Sequence, residues 1–125
     1  MPPAVIDRTK TCPFLIQVFY KVGDYHSLDV FTSPSNLPTA DEVVVYAWPD
    51  TTLREIADIV RDAVEEAKPK NAKQGLRMVY TDKHGNPASL ELGIISSTTR
   101  GYMDSLTLSS IKFQTGDYLD IAIYL

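Results

Sequence analysis

The sequence predicts an α+β domain in which one main helix packs on one face of a mixed sheet. Three observations lead there. Residues 52–67 (TLREIADIVRDAVEEA) place Leu53, Ile56, Ala57, Val60, Ala63, Val64 and Ala67 at i, i+3, i+4, i+7 spacing, with Arg54, Asp58, Arg61, Asp62 and Glu65 opposite. Short runs rich in β-branched and aromatic residues flank that stretch, separated by turn residues. The 125 residues suffice for one domain and not for two ordinary ones. A helix that is apolar along one stripe must lie against something, and the strands are what this chain offers it.

Residues 1–12 are polar and proline-bearing and are expected to form an extended lead, with the domain occupying 13–125. Residues 14–20 (FLIQVFY) read as the first strand, with Gln17 as its single polar member. A turn around Gly23 follows, and 26–31 (HSLDVF) reads as a weaker returning strand, so that 21–41 becomes an inserted hairpin and loop. Residues 32–41 hold Pro34, Pro38, Ser33, Ser35 and Asn36 and read as loop. Residues 42–48 (EVVVYAW) are a strong strand. Thr52 and Glu55 then make a capping-box signature that starts the helix, and Lys68-Pro69 is expected to stop it. Residues 76–81 and 89–94 read as strands joined by a turn at Gly85, the second with Leu90, Leu92 and Ile94 on one face. Residues 96–103 read as loop and 105–111 as a short helical turn. The tight turn Thr115-Gly116-Asp117 opens a last strand over 118–125, with Leu119, Ile121, Ile123 and Leu125 on one face.

The bulk numbers narrow the function classes. Hydrophobic residues make up 44% of the chain, which is globular, and the net charge of −4 argues against strong direct nucleic-acid binding by bulk charge. One cysteine, Cys12, excludes an intrachain disulfide framework and a cysteine-rich metal site, and fits a reducing compartment. No run of apolar residues is long enough to span a membrane, and no apolar stretch of a leader type follows Met1-Pro2-Pro3.

Nothing in the residues assembles a catalytic or cofactor site. His26 and His84 fall in turn or weak-strand positions without metal-ligand spacing and read as surface histidines. Cys12 reads as an inert buried thiol at a strand start. Asp58, Asp62, Glu65 and Glu66 read as a solvated helix face, and the glycines are too scattered to cradle a phosphate.

Partner docking is the chemistry the pattern does support. Val43, Val45 and Ala47 share one face of their strand, and Val44, Tyr46 and Trp48 the other. In the first strand, Phe14, Ile16, Val18 and Tyr20 oppose Leu15, Gln17 and Phe19. Both faces are apolar, which is more than one helix needs. The expected result is an aromatic-rich second face built from Leu15, Phe19, Tyr46, Trp48 and Tyr118, of the kind that anchors interfaces. The alternative is that 21–41 folds over this face and makes it a second small core, and the two are compatible in part. An edge strand could also take an extended peptide, and the 98–103 loop offers Arg100, Tyr102 and Met103 as contact residues.

Asp104-x-Leu106-Thr107-Leu108 followed by Gly116-Asp117-x-Leu119-x-Ile121 resembles the end of a ubiquitin-like β-grasp fold. Three segments, 6–13 (IDRTKTCP), 46–55 (YAWPDTTLRE) and 112–123 (KFQTGDYLDIAI), resemble the eighteen-kilodalton Sin-three-associated polypeptide family over nearly the whole chain from Val5 onward. The resemblance implies a ubiquitin-like domain serving as a non-catalytic adaptor. Its implied partners are an Acinus- or Pinin-type peptide motif, an RNA-recognition-motif protein with a serine-rich domain, and Sin-three and histone-deacetylase subunits. The implied settings are splicing-associated assemblies near exon junctions and transcriptional co-repression, in the nucleus, with a cytoplasmic pool allowed. A ubiquitin-like scaffold of another pathway is the alternative. Conjugation to targets is not expected, because Ile123-Tyr124-Leu125 supplies no flexible glycine tail.

Overall fold

The β-branched and aromatic runs form five strands. The computed structural model describes residues 12–32, 35, 37–96 and 101–125. Within it, β1 is Phe14–Val22, β2 Glu42–Ala47, β3 Lys73–Thr81, β4 Pro87–Ser96 and β5 Tyr118–Tyr124, with helix α1 Leu53–Ala63 between β2 and β3. The strands lie in the order β2-β1-β5-β3-β4. β1 and β5 are parallel at the centre and the other neighbouring pairs are antiparallel. This mixed sheet crossed by one helix is the ubiquitin-like arrangement that the sequence predicts.

The helix begins where the capping box puts it. The Glu55 amide donates to Thr52 Oγ1 at 3.1 Å, and the Thr52 amide to Glu55 Oε1 at 3.4 Å. Leu53, Ile56, Ala57 and Val60 are buried with Ile16, Val18, Val45, Leu76, Leu119, Ile121 and Ile123. Each large side chain so buried contributes roughly 1.5–3 kcal/mol. The helix ends sooner than Lys68-Pro69 would end it. Val64 leaves helical geometry at φ −116° and ψ 116°, and Glu65–Ala67 forms a separate 3-10 turn. Val64 and Ala67 are still buried after this change of path, and Ala63 is left exposed.

Arg54 departs from the solvated face assigned to it. It is 9% exposed, and its guanidinium donates to the Ser96 carbonyl and approaches Asp58 (3.3 Å) and Asp104 (3.6 Å). It pins α1 to β4 and to the 3-10 turn Tyr102–Ser105. In β4 the expected alternation also breaks. The register shifts between Leu76↔Gly93 and Arg77↔Glu91, leaving Leu92 as an extra residue. Leu92 and Ile95 are therefore buried, while Leu90 and Ile94 are exposed.

The segment between β1 and β2 is not a hairpin. In place of the second strand, Ser27 caps a 3-10 helix over Leu28–Phe31. The segment crosses the sheet face opposite α1 and builds a second core of Phe19, Phe31 and Val79, with Leu28, Val30, Leu37 and Tyr118 around it. The rings of Phe19, Phe31 and Tyr118 meet pairwise at 5.7, 5.7 and 5.4 Å, within the range of favourable aromatic pairs.

His26, expected at the surface, is buried and holds this segment down. Its amide donates to Asp120 Oδ2 at 3.0 Å, and its Nδ1 lies 2.8 Å from Asp120 Oδ1. Arg77 donates from Nε to the same carboxylate at 3.0 Å and from Nη2 to the His26 carbonyl. Asp120 is fully buried. The Tyr25 ring lies over the Arg77 guanidinium at 4.7 Å, close above Gly75, where a Cβ would stand 2.8 Å from the phenol oxygen.

Asp120→Ala leaves Arg77 in the sheet without its carboxylate, and should lower unfolding free energy by roughly 3–5 kcal/mol in urea titrations. A loss below about 1 kcal/mol would mean that apolar contacts alone hold the segment. The phenol of Tyr25 is pushed up to about 12, chiefly by burial, with Tyr124 and Glu91 adding and Arg77 opposing. A raised phenol pKa gives stability that is full below the ordinary value of 10.0 and is lost as pH rises through about 12. Tyr25→Phe should therefore show a shallower loss of stability over that alkaline range.

Candidate partner-binding surface

On the sheet face opposite α1, the register aligns side chains in rows across β2, β1 and β5. Leu15 pairs with Tyr46, Gln17 with Val44 and with Tyr118, and Phe19 with Glu42 and with Asp120. The inserted segment covers Phe19 and the Tyr118 end of the middle row, and reaches neither Val44 nor the first row. Tyr46 is 65% exposed, Leu15 47% and Val44 46%. These three make a contiguous apolar corner where β1 begins and β2 ends. β2 is the outer strand on this side, so one line of its backbone groups faces no other strand of the sheet.

Local chemistry fixes this corner. Alternation along β2 sends Val45 and Ala47 into the core and leaves Val44 and Tyr46 on the opposite face. Trp48 ends the strand half-buried in a turn. Its amide donates to Thr51 Oγ1 at 2.9 Å and its carbonyl accepts from the Thr51 amide at 2.9 Å. That turn leads directly into the capped start of α1, so the corner is carried on rigid elements.

The residues expected to contact partners are thus sorted by the fold. Leu15 and Tyr46 come together as a cross-strand pair, with Trp48 beside the strand end. Phe19 is wholly buried beneath Phe31 and presents no surface, because the inserted segment covers it. Tyr118 is half-buried between Phe19 and Phe31. Tyr102 is 79% exposed, but it lies in the Tyr102–Ser105 turn against α1 and β4, at the other edge of the sheet. Its neighbour Met103 packs on Gly93, where a Cβ would stand 2.8 Å from the methionine Cγ. Arg100 lies outside the described residues. Val44 belongs to the corner and was absent from the predicted contact set, although its shared face with Tyr46 is readable from alternation alone. Cys12 is exposed, not buried as expected. Among the described residues no group of acidic, histidine and cysteine side chains is arranged to hold a metal ion.

The family described as Sin3 associated polypeptide p18 (SAP18) matches residues 5–123. The chain belongs to this family. Relatives named "Histone deacetylase complex subunit SAP18" match it at 43% identity in Homo sapiens, over 98% of this chain and 80% of the relative. The Arabidopsis thaliana relative of the same name matches at 38% over 98% of this chain and 81% of its own, and that of Drosophila melanogaster at 37% over 94% and 78%. The matched span contains β1, β2 and the whole corner.

The two faces of β1 should respond differently to truncation. Phe19→Ala removes the centre of the second core and should cost roughly 3–5 kcal/mol. Tyr46→Ala and Leu15→Ala act at exposed positions and should shift stability by no more than about 0.5 kcal/mol. Thermal unfolding of the three variants tests this, and equal losses at Tyr46 and Phe19 would place the corner inside a packed core.

Proposed function

We propose that this protein is a non-catalytic adaptor subunit of a nuclear histone-deacetylase co-repressor assembly, docking through the corner of Leu15, Val44 and Tyr46 and the adjacent open edge of β2. The observation that carries this reading is near-full-length similarity to relatives named as histone deacetylase complex subunits. The corner supports it physically. An extended peptide added beside β2 gains backbone hydrogen bonds, and alternate side chains of that peptide reach Tyr46 and Val44. Tyrosine is among the residue types that supply most binding energy at interfaces, which makes Tyr46 the expected anchor of this corner.

The resemblance in the sequence supports a finer reading. The same adaptor joins an Acinus- or Pinin-type peptide motif to an RNA-recognition-motif protein with a serine-rich domain, in splicing-associated assemblies near exon junctions. Here the chain provides a folded platform, and RNA contact belongs to its partners.

A pull-down with the full chain separates these settings. One bait is a Sin-three scaffold with its deacetylase; the other is the Acinus- or Pinin-type motif with its RNA-recognition-motif partner. Retention by the first supports co-repression and retention by the second supports the splicing assembly. Tyr46→Asp and Leu15→Asp should each weaken retention about tenfold or more, as loss of an interface anchor does. Recovery by neither bait, from a chain that is folded, would sink the proposal. Undiminished recovery of both aspartate variants would move the docking site off this corner.

A further inference from the structure

The face that carries α1 is left open at one end. Met78 and Tyr80 of β3 and Leu90 of β4 lie near the hairpin that joins these strands, with Met78 and Leu90 as cross-strand partners. Ile111, Lys112, Gln114 and Asp117, from the segment leading into β5, form the opposite wall. Between them is a cavity of about 370 Å³. That volume falls within the range of ligand and side-chain pockets, roughly 300–1,000 Å³. Leu90 is 48% exposed and Tyr80 37%, so the cavity opens to solvent beside these two side chains.

Lys112 stands at its rim in an unusual backbone state. Its φ is 61°, and no other non-glycine residue among those described has a positive φ. The hydrogen bonds explain how it is held. The Lys112 amide donates to the Ser109 carbonyl at 3.2 Å, and the Phe113 amide to the Leu108 carbonyl at 3.0 Å. This is a Schellman pattern, whose left-handed position ordinarily takes glycine because a Cβ is penalised there. The following Phe113 ring stacks on Phe14 with centroids 6.2 Å apart, so the turn is closed by packing that does not involve the lysine side chain. Glycine would serve the turn at less strain. What it would not supply is a cation at the cavity mouth.

The charges around the cavity are unevenly engaged. Asp117 Oδ2 accepts the Gln114 amide at 3.0 Å and is tied into its own loop. Lys112 forms no ion pair with any described residue. The lining mixes Met78, Tyr80, Leu90 and Ile111 with Thr81, Gln114 and Asp117, and Lys112 is the charged group there without a partner of its own among the described residues. Apolar side chains beside an unengaged cation complement an apolar group carrying a carboxylate next to it. We propose that this cavity is a second docking site, which takes one bulky apolar side chain of an acidic partner peptide and sets the peptide's carboxylate against Lys112. It lies on the sheet face opposite the Leu15–Tyr46 corner and stands independently of it.

The test uses the full, isotope-labelled chain and three capped pentapeptides, followed by amide chemical shifts. One peptide has tryptophan flanked by glutamates, one tryptophan flanked by lysines, and one alanine flanked by glutamates. The first should shift the resonances of Leu90, Ile111, Lys112 and Gln114, and bind about fivefold more tightly than the lysine-flanked peptide, the upper worth of one exposed ion pair, and more tightly than the alanine peptide, which buries no large apolar side chain. Lys112→Gly should keep or raise the melting temperature and weaken the glutamate peptide by about the same factor. Lys112→Gln, which keeps a side chain on the turn, should lose as much affinity. Three results would each overturn the proposal: shifts absent from the cavity at millimolar peptide, equal binding of the lysine-flanked peptide, or unchanged affinity in both variants.

Discussion

A carboxylate with no exposed surface sits on β5 at the middle of the sheet's second face, and the packing of that face depends on how its charge is met. Asp120 is met from two directions: by Arg77 from β3, and by the amide and ring of His26 from the segment after β1. An ion so buried is tolerated only when its lone pairs are filled and an opposite charge is close. The Arg77 guanidinium also holds the His26 carbonyl, so both the backbone donor and the backbone acceptor of His26 are fixed. Hydrogen bonds have direction and apolar contacts do not. The ion cluster therefore sets where the segment crosses the sheet, and the crossing sets where Leu28–Phe31 lands.

That placement accounts for which apolar residues are covered. β1 and β5 are the central strands and carry apolar side chains on both faces, as buried strands do. α1 covers one face. The inserted segment covers the other only where Asp120 and Arg77 anchor it, over Phe19, Tyr118 and Val79. β2 is separated from β3 by two strands, beyond the reach of a short 3-10 helix anchored at the centre. Leu15, Val44 and Tyr46 are exposed for that geometric reason, and each lies on an otherwise rigid strand.

Local signals in the sequence were legible; the signals that depended on distant partners were not. The helix start is written in Thr52 and Glu55, and the apolar stripe correctly names Leu53, Ile56, Ala57 and Val60 as core. The early end at Val64 carries no breaker residue, and Val64 and Ala67 would face inward on a longer helix as they do here, so the apolar pattern does not mark it. Arg54 looks solvent-facing on a helical wheel, and only the arrival of Ser96 and Asp104 makes its burial favourable. His26 is separated from Asp120 by 94 residues, so spacing alone cannot pair them. The bulge at Leu92 hides behind an apparently regular alternation, with Gly93 as the one hint. At the candidate surface, two apolar faces on β1 revealed a surplus of apolar residues. How the surplus divides between self-cover and open corner follows from the ion cluster, which no local pattern encodes.

The open corner and the cavity beside Lys112 differ in kind as well as in place. The corner offers a strand edge unpaired by any strand among the described residues, where backbone hydrogen bonds give affinity with little demand on sequence. The cavity offers a side-chain-sized hollow with a single cation, where the shape and charge of one residue decide the fit. They lie on opposite faces of one sheet, separated by the core of α1 and β1 on one side and by the Asp120 cluster on the other. A subunit that docks two chains contributes to an assembly by holding them in fixed relation. A five-stranded sheet with buried layers on both faces is stiff enough to do so. The strain held at Lys112 fits that role, since a left-handed lysine persists only where the surrounding turn over-determines it.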